Sequence, residues 1–113
     1  MNPNDKYPLF IHWYKTLDWI MDIAEKMPKH TRFTINTRIV SISLEIVEYI
    51  VEAIYTKDRA EPLRHINLLL EKLRIFFRIC KDRAYISVKQ YEYISLQLNE
   101  AGKMCGGWAK QKG

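Results

Sequence analysis

Residues 63–80 read LRHINLLLEKLRIFFRIC. Leu63, Ile66, Leu70, Leu73, Phe77 and Cys80 recur at alternating steps of three and four. That is the heptad spacing of a helix that buries one seam against other helices. Leu69, Phe76 and Ile79 add a second apolar edge, which a helix either buries inside a bundle or turns toward a partner. The helix begins near Ala60, with Pro62 in its first turn, where no amide donor is needed. Thr56-Lys57-Asp58-Arg59 is the connector before it.

Outward from this stretch the same period recurs. Downstream, Ser87 stands three residues before Gln90, a capping-box start in which each side chain satisfies a free amide of the first turn. Tyr91, Ile94, Leu98, Ala101, Cys105 and Trp108 then form a second heptad seam. Gly102 lies within it and permits close helix approach, Gly106 and Gly107 end or kink the helix, and Lys110–Gly113 reads as a frayed basic tail. Upstream, a helix from about Thr31 to Tyr55 carries the stripe Ile35, Ile39, Ile42, Ile46, Tyr49, Ala53. It is rich in β-branched residues but too long for a strand. Another helix runs from about Lys6 to Met27, with Phe10, Trp13, Leu17, Ile20, Met21 and Ala24 on its apolar face and Pro28 as its stop. Short links force neighbouring helices antiparallel. The expected fold is all-α: one up-down-up-down four-helix bundle domain over residues 1–113.

At 113 residues, the chain can bury a core but not a core plus a roomy substrate cleft. With 48% hydrophobic and 27% charged residues it is a folding composition. The net charge is +5, and it divides as −1 for residues 1–56 and +6 for residues 57–113. Such a surface suits an acidic partner, whether RNA, DNA or protein, and is equally met by a solvated basic bundle. Cys80 and Cys105 form no C-x-x-C pair and fall on core seams, as buried free thiols of a reducing cytoplasm do. No signal pattern or membrane-length apolar run occurs, so a soluble cytoplasmic protein is expected.

The sequence offers no chemistry that points to catalysis. His12, His30 and His65 make no metal-ligand pair, and no Gly-rich phosphate loop occurs. Ser41 and Ser43 lack an evident base. Glu45, Glu48 and Glu52 read as a solvated face or as ion-pair partners. No catalytic residue, metal, cofactor or small-molecule substrate is expected. The cations are more informative. Arg74, Arg78 and Lys81 stand at i, i+4 and i+7, Arg83 extends them, and Arg64 and Lys72 flank them. Such a stripe can track phosphates, and arginine pairs with phosphate or carboxylate through two hydrogen bonds. The competing reading pairs these cations with Glu45, Glu48 and Glu52, within or between subunits. Trp13 lies on the core stripe. Trp19 falls off it and is a candidate oligomer contact.

Several runs together resemble a known family: Phe33 to Ile39, Glu45-Ile46, Glu52 to Tyr55, Asn67-Leu68, Leu73-Arg74 through Phe77-Arg78, Gln90-Tyr91-Glu92, and Ala101 through Gly106-Gly107-Trp108. They resemble Avd, the accessory variability determinant of diversity-generating retroelements, from about Trp13 to Lys110. The resemblance implies a four-helix bundle assembled as a homopentameric barrel with a basic surface. It implies binding of a reverse transcriptase and its template RNA in support of error-prone cDNA synthesis, without catalysis. It carries a binding role onto Arg74, Arg78 and Arg38, while Lys81 and Arg83 follow from the stripe alone. The related ribosomal-RNA intervening-sequence bundles carry an Asn-Ile-Ala-Glu-Gly run in their second helix. Here Arg38 to Glu45 is followed by no such run, which favours Avd. The alternative function is a structural oligomer or protein-protein adaptor that binds no nucleic acid.

Overall fold

The structure, a computed structural model, describes residues 3–111. Its described residues form four α-helices and no strand: α1 Pro8–Lys26, α2 Ile35–Tyr55, α3 Ala60–Asp82 and α4 Val88–Ala109, with 3-10 turns at Pro3–Lys6 and Lys29–Thr31. α1 packs on α2 and α4, and α3 packs on the same two helices, which closes a four-sided bundle measuring 45 × 24 × 21 Å. This is the expected up-down-up-down architecture.

Local chemistry sets the helix ends. Pro8 opens α1, and the Asn36 amide closes its far end by donating to the Ala24 carbonyl at 2.7 Å. α2 starts at Ile35 rather than Thr31. The hydroxyls of Thr31 and Thr34 donate back to the carbonyls of Pro28 and Thr31, which holds this segment as a turn. Between α3 and α4 the chain reverses at Ala84, which has φ 60°, and the Tyr85 amide donates to the Cys80 carbonyl at 2.8 Å. The capping box is formed in both directions, with Gln90 N to Ser87 Oγ at 3.0 Å and Ser87 N to Gln90 Oε1 at 2.8 Å. Gly106 and Gly107 do not end α4, which continues to Ala109. Lys112 and Gly113 of the expected tail lie outside the described residues.

The α3 seam is buried along its whole length, and so is that of α4 except for half-buried Tyr91. α1 is turned about its axis relative to expectation. Its deepest residues are Leu9, Trp13, Thr16, Ile20 and Ile23, whereas Phe10, Leu17 and Ala24 are half-buried and Met21 is exposed. Trp13 and Ile20 are buried as expected, and the two polar side chains on the buried face both have partners. The Trp13 indole donates to the Ser43 carbonyl on α2 at 3.0 Å, and Thr16 donates to its own helix at the His12 carbonyl, so both tolerate full burial. On α2, Ser43 and Ile50 join the core, while Tyr49 is half-buried and stacks on His65 with ring centroids 4.8 Å apart. Cys80 and Cys105 are free and buried, and burial pushes both thiols up to about 11.

Candidate functional site

Up-down topology places the α1–α2 and α3–α4 connectors at the same end of the bundle. They touch: the His30 ring meets the Tyr85 ring edge-on at 5.4 Å. Arg83 donates from Nε to the Tyr85 hydroxyl at 2.7 Å, and that bond pushes the Arg83 pKa further above its usual value.

This contact collects charge. Residues 22–38 hold Lys26, Lys29, Arg32 and Arg38 against Asp22 and Glu25, and residues 78–92 hold Arg78, Lys81, Arg83 and Lys89 against Asp82 and Glu92. Eight of the chain's 18 cations and four of its 13 acids therefore lie at this end, a net of +4. The ten cations and nine acids elsewhere leave only +1. Dividing the sequence into halves hides this arrangement, because half of the basic end comes from the nominally neutral first half. Lys26, Lys29, Arg32 and Lys89 belong to the site although the α3 stripe did not include them. The signal that finds them is topological: they flank the two connectors that a four-helix bundle brings together.

The seven cations singled out from the sequence do not form one surface. Arg38, Arg78, Lys81 and Arg83 lie at the basic end. Arg78 is widely exposed and only 4.0 Å from Asp82, while Lys81 pairs with Asp82 at 3.3 Å and lies 4.8 Å from the Tyr91 ring centre. Arg74 sits farther along α3 and bridges to α4. It donates to Glu71 at 3.0 Å, to Asn99 at 3.3 Å and to the Leu98 carbonyl at 3.5 Å. Gly102 makes room for it, since a Cβ there would stand 3.3 Å from Arg74 Nη2. Arg64 lies at the opposite end, paired with Glu61 at 2.6 Å, and its bond and charge hold the Glu61 carboxyl below its usual pKa. Lys72 is exposed midway, on the α2 side of α3.

Within the chain, the acidic stripe of α2 does not neutralise the α3 arginines. Arg74 and Lys81 reach toward α4, whereas Tyr49, amid Glu45, Glu48 and Glu52, meets His65 on the other side of α3. The α3 cations pair instead with Glu71 and Asp82 of their own helix.

A second surface is apolar. Phe10, Tyr14, Leu17 and Met21 of α1 and Val40, Leu44, Val47 and Val51 of α2 each step by four, three and four, outside the core. Tyr14 is 64% exposed and Leu44 43%. By helical spacing no charged side chain interrupts either row. Trp19, the candidate contact, is half-buried and packs on Tyr93 of the same chain at 4.9 Å.

Among the described residues, no three His, Cys, Asp or Glu side chains converge to hold a metal ion, and no helix is long and apolar enough to cross a membrane. In comparisons with known proteins, a family model described as bAvd-like matches residues 6–112. No curated protein matches the chain.

Proposed function

Since the chain belongs to the bAvd-like family, we propose that it is a non-catalytic, cytoplasmic accessory protein of a diversity-generating retroelement. It binds the reverse transcriptase and template RNA and so supports mutagenic cDNA synthesis. The observation that carries this reading is the concentration of most of the net charge at one end of the bundle. A phosphate backbone releases counterions when such a surface neutralises it, so binding is strong at low salt and indifferent to sequence. The protein works as a homopentamer, in which several basic ends act together and raise the effective concentration of phosphate contacts. The two uninterrupted apolar rows support self-assembly, because faces of this kind are rarely left open to water.

Gel shifts of a structured RNA across a salt series test the electrostatic mechanism. Affinity is expected to fall steeply as salt rises from about 50 to 200 mM. A flat response, or no binding at physiological salt, would leave the structural adaptor as the better reading. That alternative draws on Arg64 and Arg74, whose guanidinium groups are already engaged within the chain. Co-purification with the reverse transcriptase of such a retroelement tests the other half of the proposal.

A further inference from the structure

Phe33 is 87% exposed, more than any other large hydrophobic side chain among the described residues. It stands in the turn before α2, directly after Arg32 and three residues after His30. A single exposed apolar residue is ordinary. The position of this one is not, because it projects from the basic end, beside Lys29 and Arg32, whose side chains meet no carboxylate among the described residues. Among the described residues, no ring or cation covers its faces. A groove of about 420 Å³ lies at the same end, with Lys29, Arg32 and Asn36 as polar lining and Met21, Pro28 and Val40 among its apolar walls, and Phe33 stands outside it. The acids of this end are few. Asp82 is shared by Arg78 and Lys81, leaving Asp22 on α1, Glu25 at the groove and Glu92 on α4.

We infer that Phe33 and the cations beside it form a stacking platform for an unpaired base of single-stranded nucleic acid. The inference rests on the nucleic-acid-binding reading above and specifies its ligand. Cations alone hold any polyanion. An uncovered aromatic ring among them adds attraction for a base whose π-face is free, and only a single strand offers such faces. In a duplex the bases are stacked on one another, and a ring projecting from a turn meets only sugar and phosphate.

The test uses fluorescence anisotropy of the full chain with a labelled 12-nucleotide oligouridylate, its DNA counterpart and a 12-base-pair RNA duplex. Phe33→Ala is expected to weaken single-strand binding about tenfold, with duplex binding and the salt slope unchanged. Phe33→Trp is expected to retain single-strand affinity. Arg32→Gln is expected to weaken both forms and to lower the single-strand salt slope by about 0.7. The RNA and DNA arms show whether the sugar is read. Since Phe33 supports no packing, unchanged circular dichroism is expected for each variant. Equal losses on duplex and single strand, or no loss in Phe33→Ala, would overturn the platform while leaving the proposed function standing. So would a Phe33→Ala variant with altered mass by light scattering, or a wild type that binds anionic vesicles through Phe33. If the wild type binds neither nucleic acid, both readings fall.

Discussion

Gly102 and Gly106 stand one turn apart on α4 in different surroundings. A Cβ at Gly106 would meet nothing within 4 Å, whereas one at Gly102 would press on Arg74 at 3.3 Å. A mid-helix glycine costs up to about 1 kcal/mol relative to alanine. Gly106→Ala should therefore raise stability by about 0.5–1 kcal/mol in urea melts. Gly102→Ala should gain clearly less, because the guanidinium bonds to Asn99 and Leu98 must shift. The thiols give a pH prediction. Burial raises Cys80 and Cys105 from 9 to about 11. The folded chain then keeps protons that the unfolded chain releases. This stabilisation is whole below about pH 9 and is lost as pH rises toward 11. Melting temperature followed by circular dichroism should fall over that window, and less steeply in the Cys80→Ala/Cys105→Ala variant.

Among the elements, α4 depends most visibly on one residue for its start. Ser87→Ala removes the acceptor for the Gln90 amide and breaks the reciprocal box. The expected cost is about 1 kcal/mol, read as a lower melting temperature, and Ser87→Asp should recover most of it. This start was legible in the sequence because capping is local. The seams of α3 and α4 were legible because strict heptad spacing marks them, and on α3 the second apolar edge is only partly buried, with Leu69 inside and Ile79 exposed. α1 was harder to read: Phe10, Tyr14, Leu17 and Met21 are as apolar as the row that is buried, so hydrophobicity alone does not choose the face. The choice falls to Trp13, whose partner, the Ser43 carbonyl, becomes visible only once α2 is in place, while Thr16 tolerates burial through a bond within α1 itself. The basic end was partly legible. Its α3 members lie on one helical stripe, but Lys29, Arg32 and Phe33 join them only through the meeting of His30 with Tyr85, 55 residues apart.

At the scale of the whole molecule, charge and apolar surface are segregated. Most of the net charge occupies an end, and the outer apolar rows occupy the side formed by α1 and α2. If copies meet through that side, Leu44→Glu should reduce the mass seen by light scattering from a multiple of 13.5 kDa to the single chain, with helicity retained because Leu44 lies outside the core. A closed ring relates its subunits by rotation alone, so equivalent atoms share one height and one radius. Were the bundles to stand along the ring axis, the meeting of two connectors in each protomer would become a circular crown of positive potential over a base of much lower charge. Such an assembly would have unlike openings, and a polyanion would be drawn toward one of them rather than the other. Directional loading would need no moving part, only the decision of the chain to turn twice at the same place.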